Sequence, residues 1–596
     1  MSDLDRSAYA LERQQTWLRH VPRDAAIYSA LVALTDNETA RTEAFHTDLE
    51  FGTGGLRGIL GPGTNRMNDY TVGQATQGLA NYLTHPLEGT PARTALRVCI
   101  AFDTRRCSRA FALRAAGVLC GNGISVDLYR SPRPTPMLSF AVRRAQRPAQ
   151  AGIVITASHN PPEYNGYKVY NGAGCQLTDD AATAVLAEIK NLDPFGKVKF
   201  LDPAEAEAKG LLTYLGDETD RAYLDALREQ LARLQPALVR EHARELRMIY
   251  TPLHGSGRVP VETLLKQLGY PLLLVQDQAD EDENFRTVEK PNPEEAAVFT
   301  LAQTEAAAFQ PQVIFATDPD ADRIGVMARP GKGADYEILT GNQTGALLCH
   351  YIITTLENEK RLPANAAVVK TIVTGTLVNR ICAKYKVAVR DMLTGFKYIG
   401  EQMDLWQESG EKTFLFGLEE SYGYLFGDVS RDKDAVISAA MIAEMALWYQ
   451  QTGLTLVDAL AELYREFGPV AEDLINHEVK GTDGVARIQA LMDRARRDFR
   501  TILEGEQVVA AEDYLTRKRL DLSSGEETLL TLPQSNVLKL FYANGEWLTL
   551  RPSGTEPKIK LYLCSNEAYP KGATIQQAQD RVAELKKKAQ AFLDRP

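Results

Sequence analysis

Short apolar runs rich in Val and Ile recur along the chain, at 95–103 (ALRVCIAFD), 124–129 (ISVDLY), 152–158 (GIVITAS), 246–252 (LRMIYTP), 271–275 (PLLLV), 312–318 (QVIFATD) and 367–373 (AVVKTIV). Stretches of helical period separate them. Runs this short, apolar on successive residues, are strands covered on both faces, so the pattern predicts α/β layers on mostly parallel sheets. Toward the C-terminus the rhythm changes. In NVLKLFYANGEWLTLRPSGTEPKIKLYLC an Asn-Gly turn joins two strand-like runs and a third follows, after which TIQQAQDRVAELKKKAQAFL has the spacing of an amphipathic helix. That combination predicts a separate α+β module. Polar stretches near 190–220 and after Gly468-Pro469 are the candidate boundaries, and neither a short-period repeat nor a low-complexity tract interrupts the chain.

Composition narrows the class. With 596 residues, 44% hydrophobic and 24% charged, the chain is too long for one domain and too apolar for disorder. Lys and Arg number 67 against 78 Asp and Glu, a net charge of −11 spread along the chain, which argues against nucleic-acid or anionic-membrane partners. Anionic ligands would need local pockets of positive charge. The N-terminal MSDLDRSAYALERQQTWLRH lacks a basic region followed by an apolar one, and no run approaches the ~18 apolar residues of a membrane span, so a cytoplasmic location is expected. Seven scattered cysteines without a C-x-x-C pair read as reduced core thiols.

Four stretches carry candidate chemistry. In TASHNPPEYNGYKVY (156–170) an apolar strand ends at a small-residue and Asn-Pro-Pro turn, where Ser158 can sit at the mouth of a cleft with His159 beside it and Lys168 ten residues on. A serine nucleophile needs such a base or orienting charge, although the same residues could simply cap a turn. TDPDADR (317–323) puts carboxylates at Asp318, Asp320 and Asp322. In an extended loop alternate residues point the same way, so the three could converge on one hard divalent cation; a solvated acidic turn is the alternative. An EF-hand is excluded, because its sixth position needs Gly and here is Arg323. RPSGTEPK (551–558) gathers Arg551, Ser553, Gly554 and Thr555 in a turn whose guanidinium, hydroxyls and backbone N–H groups suit a phosphate dianion. GLEESYGY (417–424) places Glu419 and Ser421 on one side of an extended segment, suited to sugar hydroxyls. FGTGGLRG (51–58) fails the dinucleotide pattern at Arg57, which remains a candidate anion ligand.

Taken together, FGTGGLRG, TASHNP, DPDADR, the E-x-S loop and RPSGTEP, in this order, resemble the α-D-phosphohexomutase superfamily, the relatives of phosphoglucomutase and phosphomannomutase. LTGFKYIG (393–400), EKPNPEE (289–295) and SRDKDAV (430–436) are similar to the larger phosphoglucomutase and phosphopentomutase branch, and Gly423 stands where the bacterial dual-specificity pattern has a histidine. The resemblance implies four domains around a central cleft: α/β units at 1–205, 206–325 and 326–465 with mixed, mostly parallel sheets, and a smaller α+β domain at 466–596. It implies that Ser158 is phosphorylated and that Asp318, Asp320 and Asp322 hold one Mg²⁺ together with that phosphate. Arg57, His159, Lys168 and Arg323 would surround the transferring phosphate, Lys168 handling the proton. Lys397 would bind phosphate, Glu419 and Ser421 the sugar, and Arg551, Ser553, Gly554 and Thr555 the phosphate that is not reacting.

The implied reaction interconverts glucose 1-phosphate and glucose 6-phosphate through glucose 1,6-bisphosphate, which also serves as activator. The expected partners are small sugar phosphates, with the chain a monomer or homodimer. Phosphopentomutase and glucose-1,6-bisphosphate synthase are the alternatives within the family. A magnesium-dependent D-x-D phosphohydrolase is the alternative outside it, and leaves Ser158 and the 551–555 turn without a role; a sugar-phosphate-binding protein without catalysis would be expected to have lost the serine or an aspartate.

Overall fold

The computed structural model describes residues 3–52, 54–85, 95–144, 146–331, 333–479, 484–553, 558–565 and 572–595. Each predicted apolar run is a strand, and the strands form four sheets. The first contains β1 (Gly55–Ile59), β2 (Arg97–Phe102), β3 (Ser125–Tyr129), β4 (Ala151–Ile155), β5 (Tyr164–Asn171) and β6 (Leu212–Leu215), in the order β1-β5-β4-β2-β3-β6. β4, β2, β3 and β6 run parallel, while β5 is antiparallel to both of its neighbours, β4 and the edge strand β1. This sheet extends past the boundary expected at 205, because β6 pairs in parallel with β3 through Val126 and Leu212.

The second sheet, β7 (Met248–Thr251), β8 (Leu272–Leu274), β9 (Val313–Thr317), β10 (Ile324–Ala328) and β11 (Glu337–Leu339), is likewise mixed. So is the third, β12 (Ala366–Thr371), β13 (Ala388–Met392), β14 (Thr413–Glu419) and β15 (Gly423–Phe426). The fourth is entirely antiparallel: β16 (Glu472–Glu478), β17 (Val508–Asp513), β18 (Lys518–Asp521), β19 (Glu527–Leu529), β20 (Leu538–Tyr542), β21 (Trp547–Pro552) and β22 (Lys558–Cys564), in the order β16-β22-β21-β20-β17-β18-β19. β20, β21 and β22 and the helix Ile575–Leu593 are the predicted elements. The other four were not legible: β16, β18 and β19 are mostly polar segments that bury little, and β17 (Val508–Asp513) is apolar over only its first four residues.

Three N-terminal helices, Asp3–His20, Tyr28–Ala33 and Glu38–Phe45, were also unforeseen and form a small cluster around Trp17, Leu31 and Phe45. At the centre lies the helix Ala435–Gln451, buried along nearly its whole length and touching strands of both the second and third sheets. Its apolar residues run all the way round, which fits a helix wrapped on every side. Asp434 caps it, Oδ1 accepting from the N–H groups of Val436 and Ile437 at 3.0 Å. Six cysteines are buried and Cys107 is exposed; all seven are free thiols. No helix of the described residues is long and apolar enough to cross a membrane.

Candidate active site

The site is assembled where strand ends of the first three sheets meet. β4 stops at Ile155, and Ser158 follows in a left-handed backbone conformation, φ +51°, buried at 3% exposure. A non-glycine residue held there is strained and must be fixed by its surroundings. Here the fixing is visible: the Ser158 N–H donates to Thr156 Oγ1 at 2.8 Å, and the buried Arg105 guanidinium donates to the carbonyls of Ser158, Asn160 and Pro161 while pairing with Asp103 at 3.3 Å. Arg105 was not singled out by sequence reasoning, because only tertiary structure brings it to the loop. The Ser158 hydroxyl donates to Asp318 Oδ2 at 2.6 Å, across to the second sheet, and lies 3.2 Å from His159 Nδ1. It is therefore bound and aimed as well as capped.

The three aspartates do converge, but through a tight turn instead of the extended loop expected. Ala321 has φ +46° and its N–H returns to the Asp318 carbonyl at 3.0 Å, while the N–H groups of Asp322 and Arg323 donate to Asp318 Oδ1 at 3.1 and 3.0 Å. The aspartate side chain organises the turn that brings its neighbours back beside it. One carboxylate oxygen from each lies within 4.8 Å of the others, and all three residues are buried. Thr135 and Lys168 donate to Asp320 Oδ2 at 3.0 and 2.9 Å, and Lys168 also approaches Asp322 at 3.6 Å. Asp320 Oδ1 and Asp322 Oδ1 have no hydrogen-bond partner among the described residues despite their burial. Two orphaned buried oxygens within a three-carboxylate cluster suit a divalent cation.

The electrostatics follow. Burial, then the charges of Asp320 and Asp322, push the Asp318 carboxyl well above the usual range. Burial works against the charged form of Lys168, yet Asp320 and Asp322 outweigh it and raise its pKa. Burial and the Arg323 and Arg57 guanidinium groups hold His159 well below its ordinary value, as neutral imidazole. Arg57 reaches Asn160 Oδ1 at 3.1 Å, and Arg323 binds Glu294 at 2.6 Å while lying 3.8 Å from Asp322.

From the third sheet comes a residue the sequence reading did not place in the site. Lys433 Nζ lies 3.3 Å from Asp322, 3.5 Å from Asp432 and 3.8 Å from Glu419. Burial disfavours its charge, but those carboxylates outweigh it and raise its pKa. It sits between two anchored aspartates, Asp432 accepting from Tyr170 Oη at 2.6 Å and Asp434 from Tyr223 Oη at 2.7 Å. Gly423 makes the room: a Cβ there would fall 2.0 Å from Lys433 Cδ and 2.7 Å from Cγ. The available signal was a lysine between two aspartates immediately before an apolar helix.

The sugar-loop residues need one correction. Glu419 and Ser421 are not on an extended segment, because Glu419 pairs with Gly423 across a tight hairpin in which Tyr422 has φ +63°. Glu419 Oε1 accepts from the Gly395 N–H at 2.9 Å, and Ser421 is half-buried at the hairpin tip. Lys397 is buried and pairs at 2.5 Å with Asp179, which also accepts from Tyr398 Oη at 2.7 Å, so its ammonium is already engaged with an acid from the first sheet's helices. Arg551, at the end of β21, lies near enough to Glu420 and Tyr398 to oppose the upward pKa shifts that burial gives both. The Ser553 N–H donates to the Lys558 carbonyl at 2.8 Å, closing the turn; Gly554 and Thr555 lie outside the described residues.

Comparison with known proteins is consistent along the chain. The family models described as Phosphoglucomutase/phosphomannomutase match in four pieces: alpha/beta/alpha domain I at residues 48–195, domain II at 221–331, domain III at 340–467 and the C-terminal domain at 474–585. A protein named phosphoglucomutase from Staphylococcus haemolyticus (strain JCSC1435) is 36% identical over 544 residues, covering 90% of this chain and 94% of that one. One of the same name from Staphylococcus aureus (strain MRSA252) is 34% identical over 530 residues, covering 88% and 91%. Among solved structures, the open form of the Paramecium exocytosis-sensitive phosphoprotein parafusin, a phosphoglucomutase, superposes with a TM-score of 0.65 at 17% identity over 92% of this chain and 96% of that one. A phosphoglucomutase/phosphomannomutase family protein from Burkholderia thailandensis gives 0.62 at 18% identity, covering 91% and 97%. At those identities the structures bear on the fold alone.

Proposed function

The chain belongs to the phosphoglucomutase/phosphomannomutase family, and from that premise we propose that it is a phosphoglucomutase, interconverting glucose 1-phosphate and glucose 6-phosphate through a phosphoserine at Ser158 and glucose 1,6-bisphosphate. The observation that carries the reading is the Ser158 hydroxyl, strained, buried and bonded at 2.6 Å to a cluster of three buried aspartates. A phosphohydrolase using an aspartate nucleophile has no need of that serine, whereas a mutase must store the phosphoryl group between two half-reactions.

Asp318, Asp320, Asp322 and the phosphate of Ser158 would hold Mg²⁺, the orphaned oxygens of Asp320 and Asp322 being its natural ligands. When bound, the ion neutralises charge on the phosphoryl oxygens. The protein's own groups do the rest. In the first half-reaction the P–Oγ bond of phosphoserine breaks and a P–O bond to the 6-hydroxyl of glucose 1-phosphate forms, the hydroxyl proton being passed to Ser158 Oγ through Lys168, which gives up one proton as it takes the other and so remains the ammonium that Asp320 and Asp322 favour. After the bisphosphate turns end for end, the second half-reaction runs in reverse at the other phosphate: the serine proton is returned through Lys168 to the departing sugar oxygen, and His159, a neutral imidazole 3.2 Å from Ser158 Oγ, orients the hydroxyl. Arg57 and Arg323 stabilise the transferring group by charge, Lys433 adds a second ammonium beside Asp322, Glu419 and Ser421 accept from sugar hydroxyls, and Arg551, Ser553, Gly554 and Thr555 grip the distal phosphate. Lys397, occupied by Asp179, would have to exchange that partner to bind phosphate.

The names borne by the relatives at 34–36% identity support glucose as the sugar. The test is a panel of glucose, mannose and ribose 1-phosphates assayed with Mg²⁺ and a catalytic amount of glucose 1,6-bisphosphate. Glucose 1-phosphate is expected to give the highest kcat/KM; a higher value with mannose or ribose 1-phosphate contradicts the assignment.

A further inference from the structure

Side chains of β20 and β21 alternate between two faces. Leu538, Leu540, Leu548 and Leu550 pack into the core under the C-terminal helices, so Lys539, Phe541, Trp547 and Thr549 turn the other way. Register places Glu512 of β17 beside Lys539 and Arg519 of β18 beside Glu512 on that face. The face lies against the edge of the third sheet, where Lys370 of β12 and Asp391 of β13 are register partners. Between the two sheets is a chamber of about 420 Å³ lined by these polar residues together with Arg390 and Tyr514. None of them belongs to the catalytic cleft.

The donors in this chamber outnumber its acceptors. Arg519 is paired with Glu512, and Lys370 with Asp391 at 3.0 Å. Lys539, only 7% exposed, spends one proton on the Ile372 carbonyl at 2.6 Å and stands 4.5 Å over the Trp547 ring; no carboxylate pairs with it among the described residues. Burial and the neighbouring Lys370 bring its pKa down to about 8, outweighing the opposing charges of Asp391 and Glu512, which are engaged with Lys370 and Arg519. Trp547 is 2% exposed, yet its indole N–H has no acceptor among the described residues. Arg390 stands at the exposed rim, with no ion pair among the described residues. A buried ammonium and a buried indole N–H without acceptors are costly unless something supplies them, and an oxyanion of the right size does so.

We propose that this chamber is a second anion site, taking a small phosphate-bearing molecule gripped by Lys539 and Trp547 from the fourth sheet and by Arg390 from the third. The Lys539 to Ile372 hydrogen bond already bridges the two sheets, and Arg551 projects from the same face of β21 as Trp547. An anion held from both sides ties the sheet that carries the phosphate clamp to the sheet that carries the sugar loop.

Trp547 reports on its own site. Titrate inorganic phosphate, and separately adenosine 5′-monophosphate as a phosphate bearing a planar ring, while following tryptophan emission in wild type and Trp547→Phe. The expected result is a saturable change that disappears in Trp547→Phe, with the apparent Kd raised at least tenfold in Lys539→Met and in Arg390→Gln, and unchanged in Arg551→Ala. Arg390 is exposed, so its variant keeps the test open should the buried lysine prove necessary for folding. Tighter binding of the nucleotide identifies a phosphorylated metabolite as the occupant, and equal binding of the two probes identifies free phosphate. A signal that survives in Trp547→Phe, that is lost in Arg551→Ala, or that keeps the wild-type Kd in Arg390→Gln overturns the proposal.

Discussion

Gly423→Ala tests whether Lys433 takes part in catalysis at the position the structure gives it. The added Cβ would lie 2.0 Å from Lys433 Cδ, where ordinary contact begins near 3.4 Å, so the stem must move by more than an ångström. The backbone of Gly423 is paired with Glu419 and cannot yield, and the lysine is the mobile partner. Its ammonium now stands 3.3 Å from Asp322. At an effective dielectric constant of about 20 a unit ion pair at that distance is worth about 5 kcal/mol, and withdrawing it by one ångström removes about 1 kcal/mol; the pairs with Asp432 and Glu419 add to this. With about 1.4 kcal/mol corresponding to tenfold in rate, and misplacements of an ångström costing up to about 100-fold, kcat/KM should fall by about 10- to 100-fold. Steady-state kinetics on Gly423→Ala, Lys433→Ala and the double variant decide the matter. The two substitutions should be strongly non-additive, because a displaced lysine and a missing one share one defect. Full activity in Gly423→Ala, or additive losses in the double variant, would refute the role given to Lys433.

Asp318→Asn removes one of three mutually repelling buried charges, so the metal-free protein should melt at or above the wild-type temperature while its Mg²⁺-dependent rise in Tm and its activity are lost; an undiminished Mg²⁺ titration removes the metal assignment. Burial raises Glu444 to about 7 although Tyr351 Oη and the Gln235 N–H donate to it at 2.6 and 2.7 Å. A raised carboxyl pKa gives stability that is complete below about 4.5 and lost as pH climbs through 7, so Glu444→Gln should gain on wild type between pH 5 and 8, by on the order of 3 kcal/mol; a Tm difference independent of pH refutes this. Arg551→Ala should lower kcat/KM by about 10- to 100-fold, the cost of a charge-assisted phosphate contact, and should release more free glucose 1,6-bisphosphate per turnover of labelled glucose 1-phosphate; an unchanged release ratio makes the residue a binding contact only.

The fold was legible where strands are buried on both faces, since β2, β4, β7, β9 and β12 are short, predominantly apolar runs. It was illegible at β16, β18 and β19, which are polar segments recruited by a neighbouring edge. Ser158, Lys168 and the three aspartates announced themselves because each follows or lies within an apolar strand and carries a charge or hydroxyl out of it. Arg105 and Lys433 did not, as their roles depend on partners 53 and 111 positions away in sequence, the Ser158 carbonyl and Asp322. The geometry of the loops was also hidden: the convergence of the aspartates comes from a left-handed Ala321 and the Asp318 side chain's grip on the backbone, and composition alone favours neither that turn nor an extended loop.

Everything turns on Ser158. The direct measurement is intact mass with peptide mapping of the active enzyme after incubation with glucose 1,6-bisphosphate, alongside the activity of Ser158→Ala. A single phosphoryl group on Ser158, discharged by added glucose 1-phosphate or glucose 6-phosphate, and a fall in kcat of several orders of magnitude in the folded Ser158→Ala variant are the expected results. An active enzyme with no phosphate at Ser158 under any of these conditions, or a Ser158→Ala variant that retains near-full mutase activity, would contradict the mechanism at its root.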